Sequence, residues 1–314
     1  MLKIDRRLAM QLGLAFATCG ATYGASTASA STAGSLIRKA IPKSGERLPV
    51  VGLGTNNYSP KTPEERAARR EVLAGLTAGG ASVIDTAPSY RESEQTLGEL
   101  IEEIGNRRQI FLATKVTARG GTREEGLAML ENSFRMLRTE TLDLVQVHNL
   151  VGTAVLLPLL REQVAAKKIR YIGITTSQDA QYAEMTNIMK SESLDFIQVD
   201  YSLGNRGAGD EILPLAAERG MAVLINLPFG GRRDGNLFSR VRGQELPGWA
   251  AEIGATSWGQ VFLKYVISHP AVTCAIPGMT RLGNLEDNLA AARGALPDAA
   301  MRRRMESWWD SLPA

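Results

Sequence analysis

Short, uninterrupted apolar runs alternate along the chain with longer stretches whose apolar residues recur every three or four positions. The runs fall at residues 50–53, 83–85, 110–114, 142–148, 169–175, 196–199, 222–227 and 272–276. Continuous rather than alternating hydrophobicity means that both faces are covered, which predicts the strands of a parallel sheet. The stretches between them predict helices over about 62–77, 93–104, 122–137, 154–166, 179–190, 210–219, 257–267 and 282–293, with one more over 298–312. Thr62-Pro63-Glu64-Glu65 and Thr122-Arg123-Glu124-Glu125 open two of these as capping boxes, the first with proline at the first helical position. Ahead of the repeat, residues 36–41 and 46–49 flank Pro42-Lys43-Ser44-Gly45, a hairpin turn that plugs or decorates one end of the fold. Eight strand–helix units let the sheet close on itself. The expected class is α/β, a (β/α)8 TIM barrel with an N-terminal β-hairpin and an extra C-terminal helix. A doubly wound open sheet is the alternative, but no Gly-x-Gly-x-x-Gly follows the first strand.

The first residues have a different composition. Lys3, Arg6 and Arg7 form a basic head, residues 8–21 are apolar and small, and residues 26–34 are almost all Ser, Thr, Ala and Gly. That order describes an export signal with a cleavage site at Ala28-Ser29-Ala30. The Arg6-Arg7 pair resembles a twin-arginine signal, so the export machinery for folded proteins is an expected partner. Residues 1–34 are thus expected to be a signal peptide and 35–314 a single barrel domain, periplasmic or otherwise exported. The apolar run is shorter than the roughly 20 residues that span a bilayer, so no stable membrane insertion of the mature chain is expected. The net charge of +3 is too small to suggest a nucleic-acid partner. Without Cys19 only Cys274 remains, which excludes an internal disulfide or a cysteine-based metal site and leaves an inert buried thiol.

Three strands end on side chains with chemistry: Asp85, Lys115 and His148, with Tyr90 on the loop after Asp85. In a barrel all four share one rim. A phenol titrates near pH 10 in isolation, so it needs a neighbouring ammonium to favour its anion, and an aspartate to hold that ammonium in place. Histidine can orient a carbonyl oxygen or assist proton transfer. Such a group can protonate an alkoxide as it develops from a carbonyl. It contains no nucleophile relay and no metal cluster, so the electrons must come from a hydride-donating cofactor. The loop Pro228-Phe229-Gly230-Gly231-Arg232-Arg233-Asp234-Gly235 offers free backbone N–H groups at Gly230 and charge at Arg232 for a pyrophosphate, or is a solvated turn. His269, between a helix and a strand, is expected to cap or to lie at the surface.

From about residue 37 onward the chain resembles the aldo-keto reductase family. The resemblance rests on Asp85-Thr86-Ala87-Pro88-Ser89-Tyr90 with Ser93-Glu94 beyond it, Ala113-Thr114-Lys115, Asp143-Leu144-Val145-Gln146-Val147-His148 and Ile276-Pro277-Gly278. It implies a metal-free barrel that reduces aldehydes and ketones with NADPH, or with NADH as the alternative. Tyr90, Asp85, Lys115 and His148 would be the catalytic tetrad and Tyr90 the proton donor. Thr175, Thr176 and Gln198 would hold the nicotinamide carboxamide, and Asn226 would lie beneath the ring. Residues 278–288 would hold the adenosine phosphate through Thr280, Arg281 and Asn284, with Asp287 and Asn288 near the adenine. Departures are visible: Arg91 follows the tyrosine where glycine is usual, Thr175-Thr176 replaces a Ser-Asn pair, and Asn226 replaces an aromatic. Gly278 and Asn284 stand where basic residues are usual, leaving Arg281 as the nearby cation. A carbonyl reductase is the leading reading. The competing one is a barrel that binds nucleotide or a carbonyl ligand without turnover. Trp249 and Tyr58 are open candidates for the substrate pocket.

Overall fold

A computed structural model describes residues 34–231 and 235–313. The expected export signal, apart from Gly34, and the expected phosphate ligand Arg232 lie outside the described residues.

The chain opens with an antiparallel hairpin, β1 (Arg38–Ala40) and β2 (Arg47–Pro49). Eight strands then form one parallel sheet: β3 (Leu53–Gly54), β4 (Val83–Asp85), β5 (Phe111–Val116), β6 (Leu142–His148), β7 (Ile169–Thr175), β8 (Phe196–Asp200), β9 (Ala222–Asn226) and, late in the chain, Cys274–Ala275. Each neighbour in sequence is the neighbour in the sheet. Parallel bridges Val51↔Ala275 and Gly54↔Gly278 join the last strand to the first and close the barrel. The helices are α1 (Pro63–Ala78), α2 (Ser93–Ile104), α3 (Arg123–Met136), α4 (Thr153–Ala165), α5 (Tyr182–Ser191) and α6 (Ile212–Glu218).

Between β9 and the final strand, where the sequence suggested a plain loop over 228–248, the chain folds locally. Strands β10 (Gly230–Gly231) and β11 (Gly235–Asn236) pair antiparallel, the short α7 (Leu237–Arg240) follows, and a 3-10 turn spans Gly248–Ile253. Then come α8 (Trp258–Ile267), the closing strand β12 (Cys274–Ala275), α9 (Leu282–Ala291) and α10 (Ala299–Asp310).

The caps work as the sequence suggests, with one change. Thr62 and Thr122 accept the Glu65 and Glu125 N–H groups at 3.2 and 3.3 Å. Their glutamates do not return to the cap residue as a capping box requires. Glu65 accepts from Lys61 N–H, and Glu125 from Arg119 and Gly120 N–H, so each carboxylate orders the turn ahead of its helix. Gly98 sits inside α2 because α3 ends against it: a Cβ there would lie 2.1 Å from the Met136 carbonyl oxygen.

The barrel interior is layered by the two-residue period of its strands. Val83, Phe111, Ala113, Leu144, Phe196, Ala222, Leu224 and Cys274 form an apolar floor, into which the hairpin inserts Ile41 and Leu48. The hairpin is therefore the plug that the sequence suggested. Burial pushes the Cys274 thiol far above its usual range, with Asp85 adding to it, so it stays an inert SH. Two residues further along the same strands, the interior positions become Asp85, Lys115, Gln146, Thr175, Gln198 and Asn226. The chemistry lies on the layer above the floor.

Candidate active site

Register brings this layer together. Asp85 pairs with Ala113, Lys115 with Gln146, His148 with Thr175, and Thr175 with Gln198. Lys115 Nζ donates to Asp85 Oδ2 at 2.5 Å and to the Thr86 carbonyl at 2.8 Å. Both side chains are buried, and Gln146 Nε2 reaches the other Asp85 oxygen at 3.5 Å. Burial alone would push the ammonium down, but the Asp85 carboxylate, and after it the Tyr90 phenol, outweigh it and hold Lys115 above its usual pKa. Lys115 stays protonated.

Above this ion pair, Lys115 Nζ lies 4.9 Å from the centre of the Tyr90 ring, and that ring meets His148 edge-on at 6.1 Å. Burial, then the charges of Lys115 and Arg119, push His148 down to about 3. The imidazole is therefore neutral near pH 7, which suits the orienting role weighed for it and not that of a proton source. Arg91 adopts a left-handed φ of 56°, as do Asn149 (52°) and Leu150 (60°) just after His148. Side chains rarely hold that backbone, so both turns at the rim carry some strain.

The loop bearing Tyr90 is tied down from behind. The Ser93 hydroxyl lies 2.9 Å from the Thr55 carbonyl and 3.1 Å from Thr86 Oγ1, and Thr55 donates to the Asp85 carbonyl at 2.9 Å. Glu94 is buried and accepts from Thr114 (2.6 Å) and Ser133 (3.2 Å), which links α2 and α3 to the strand that carries Lys115. Burial pushes the Glu94 carboxyl up, against those two hydroxyls. The sequence motif contained Ser93 and Glu94 but gave no reason for them; packing supplies it.

A cavity of about 780 Å³ opens over the layer, lined by Tyr90, Lys115, His148, Thr175, Asn226 and Gly230 among others. Its remaining lining is mostly polar, with Asn56, Ser89, Arg91, Gln178 and Asn205 around it. Asp85 lies beneath, behind Lys115. Gln198 is fully buried behind the cavity lining; its side chain helps to hold the Asp85 carboxylate down, but neither end of its amide meets a partner at full hydrogen-bonding geometry. Asn226 Oδ1 is likewise buried and unpartnered, while its Nδ2 donates to the Thr176 carbonyl at 3.3 Å. Unpaired buried amides are costly, so these three polar ends are built for something that brings its own donors and acceptors. Thr176 differs from expectation: its hydroxyl donates to Gln181 at 2.5 Å and does not line the cavity.

The residues expected to hold the adenosine end sit apart from the cavity lining, around the start of α9. Arg281 and Asn284 are exposed there, and Asn288 is buried. Asp287 already accepts from Ser257 Oγ and Gln260 Nε2, both at 2.7 Å, and so braces the start of α8. Arg281 is not the only cation at hand. Arg69, from α1, donates to the carbonyls of Thr280 (3.1 Å) and Asn57 (3.4 Å), and its Nε is buried without a partner. Nothing in local sequence marks Arg69; only the closing of the barrel brings α1 beside α9 and the segment before it. Tyr58 donates to the Met279 carbonyl at 3.0 Å and Trp249 packs on Trp308, so neither lines the cavity. His269 accepts the Ala271 N–H through Nδ1 at 3.2 Å and so ties the turn between α8 and β12 rather than capping a helix. No cluster of metal-ligating side chains occurs among the described residues.

Residues 50–308 match the Aldo/keto reductase family. The chain is 30% identical over 274 residues to the methylglyoxal reductase YeaE of Escherichia coli, covering 84% of this chain and 93% of that protein. It superposes on an aldo/keto reductase of Klebsiella pneumoniae in complex with NADP and acetate with a TM-score of 0.70 at 26% identity, covering 84% of this chain and 93% of that one. An aldo-keto reductase of Bacillus halodurans in its holo form gives 0.71 at 20% identity, over 87% and 96%, and supports the fold. With its closed barrel, its Asp85–Lys115 pair under Tyr90 and this breadth of match, the chain belongs to the aldo/keto reductase family.

Proposed function

We propose that the protein is an NADP(H)-dependent oxidoreductase that reduces an aldehyde or ketone to an alcohol, with Tyr90 as the proton donor. One observation carries the mechanism: a buried Asp85–Lys115 ion pair lies directly beneath the phenol. A buried pair of this kind contributes little net stability, because desolvation offsets the attraction. Its use is electrostatic. Tyr90 gives its proton to the carbonyl oxygen as negative charge develops there, and the phenolate left behind faces the Lys115 ammonium. Asp85 keeps that ammonium charged and fixed. Neutral His148 is placed to donate an N–H to the same oxygen and aim it at Tyr90.

Buried amide ends on Gln198 and Asn226 fit the carboxamide of a nicotinamide, with the Thr175 side chain beside them. Thr176 acts in this reading through its carbonyl, by holding Asn226. Gly230 and Arg232 are assigned to the pyrophosphate, Thr280, Arg281 and Asn284 to the 2′-phosphate, and Asp287 with Asn288 to the adenine. When bound, NADPH supplies the hydride, and every proton transfer belongs to the chain. The relative named for methylglyoxal makes that small dicarbonyl the first probe. Methylglyoxal-dependent NADPH consumption by the purified protein is the expected result. Tight NADPH binding with no turnover of methylglyoxal or any other small aldehyde would instead favour a non-catalytic barrel.

Export belongs to the same proposal. Residues 1–34 are read as a twin-arginine-like signal and 35–314 as the domain that crosses the membrane folded, with its cofactor in place. The basic head, apolar run and small-residue tract support this. No helix among the described residues is long and apolar enough to span a bilayer. N-terminal sequencing of the periplasmic fraction should give a chain starting near Ser31; uncleaved protein confined to the cytosol would rule it out.

A further inference from the structure

A second cavity, of about 530 Å³, lies at the other end of the barrel, where the strands begin. The hairpin, the start of β4 and the starts of β5, β6 and β7 surround it. Five arginines and two carboxylates line it. Both carboxylates are already taken. Asp143 bonds Arg170 at 2.7 Å, Arg107 at 3.2 Å and the Leu112 N–H at 2.8 Å. Glu46 bonds Arg170 at 2.5 Å and the Tyr171 hydroxyl at 2.8 Å.

Among the described residues, the other three guanidiniums, those of Arg38, Arg47 and Arg108, pair with no carboxylate. Arg38 and Arg47 cross the hairpin: Arg38 donates to the Arg47 carbonyl at 3.2 Å and the Gly80 carbonyl at 2.7 Å, and Arg47 to the Arg38 carbonyl at 2.6 Å. Carbonyls fix these two side chains in place without neutralising them. Arg108 makes no hydrogen bond or ion pair with any described residue. Two guanidiniums fixed by carbonyls and a third, exposed and free to swing in, have N–H groups left over in a concave site, which suits a multiply charged oxyanion that can take bidentate bonds from each.

We propose that this cavity is a binding site for a small, free phosphate-bearing molecule, separate from the catalytic cavity. A lipid headgroup carries the same chemistry. The site is concave, however, and the hairpin's large apolar residues Ile41 and Leu48 point into the barrel floor. Large hydrophobic residues are exposed, among the described residues, only at Leu227, Phe238 and Leu282, none of which lines this cavity. Nothing there would enter a bilayer.

Pyrophosphate is the probe, titrated calorimetrically into the full chain saturated with NADPH, so that the nucleotide site is filled. One pyrophosphate per chain should bind. Arg38→Ala/Arg47→Ala should weaken it by at least about tenfold, the loss expected for charge-assisted hydrogen bonds. Arg108→Ala, which removes no contact of the folded chain, should weaken it several-fold and keeps the test independent of any cost to the hairpin. Methylglyoxal reduction should stay unchanged in both variants, so failure here is distinguishable from failure of the reductase reading. No binding by the wild type, or equal binding by Arg108→Ala and the wild type, would overturn the proposal. So would arginine-dependent binding to phosphatidylglycerol vesicles with none to pyrophosphate.

Discussion

Lys115 Nζ is held 2.5 Å from Asp85 Oδ2 and sits 4.9 Å from the centre of the Tyr90 ring, so one ammonium serves a buried carboxylate on one side and a phenol on the other. Removing either partner of such a pair has unequal consequences. Asp85→Ala leaves a buried ammonium alone, which costs about 3–5 kcal/mol in general. Burial then wins and Lys115 tends to lose its proton. Asp85→Ala combined with Lys115→Met removes both charges and should recover much of that stability without recovering turnover. Urea denaturation alongside NADPH oxidation checks this. A double variant as unstable as Asp85→Ala alone would show that packing, not the orphaned charge, sets the loss.

His148 gives a pH prediction. Its folded-state pKa of about 3 lies well below the unfolded value of about 6.5. The folded state therefore favours the neutral ring, and the unfolded state binds the proton first as pH falls. The associated stability is fully present above about pH 6.5 and is lost as pH falls toward 3, at up to about 1.4 kcal/mol per pH unit. His148→Gln should flatten that part of the stability profile. It should also leave no missing titration in the rate between about pH 5 and pH 8, because the ring is neutral throughout. A histidine-like step in kcat that disappears in His148→Gln would contradict the orienting role.

Gly98 shows how tightly the helices behind the site are packed. A Cβ at this position meets the Met136 carbonyl oxygen at 2.1 Å and Leu137 backbone atoms at about 3 Å. Backbone cannot move as a side-chain tip can, so Gly98→Ala should cost about 1–3 kcal/mol or more, although alanine is the better helix former. The shift of α2 against α3 would also disturb Glu94, which bonds Thr114 on the strand carrying Lys115 and Ser133 on α3. A thermal midpoint equal to the wild type's would mean the two helices separate freely.

Arg69 should matter for nucleotide binding although it lies on α1. It bonds the Thr280 carbonyl and so fixes the segment assigned to the 2′-phosphate. Arg69→Ala should raise the NADPH Kd several-fold, and the NADH Kd less, as measured by fluorescence titration. Equal effects on the two nucleotides would make Arg69 a general brace of the loop.

Much of this was legible in the chain because strand ends are marked by composition. Asp85, Lys115 and His148 each stop an apolar run, and the barrel's topology then forces them to one rim. The hairpin plug was legible for the same reason, since its turn residues stand between two apolar flanks. The helix expected over about 93–104 runs over Ser93–Ile104, and Gly105 ends it in the left-handed φ of 74° that a helix cap favours. What escaped the sequence depends on contacts between distant segments. Arg69 meets Thr280 across 211 positions, and Thr176 gives its hydroxyl to Gln181 only because the 3-10 turn at Asp179–Gln181 places that amide there. The fold between β9 and α8 was hidden because its elements are two to six residues long and too short for any period to appear.

In the proposed reaction the Tyr90 hydroxyl delivers the proton. Tyr90→Phe removes only that oxygen, leaving the ring against His148 and the ammonium over its pair. The direct measurement is single-turnover NADPH oxidation with methylglyoxal, run beside an NADPH binding titration. With the proton donor gone, the rate should fall by about 10²–10⁴ with NADPH affinity unchanged. Turnover within tenfold of the wild type would contradict it.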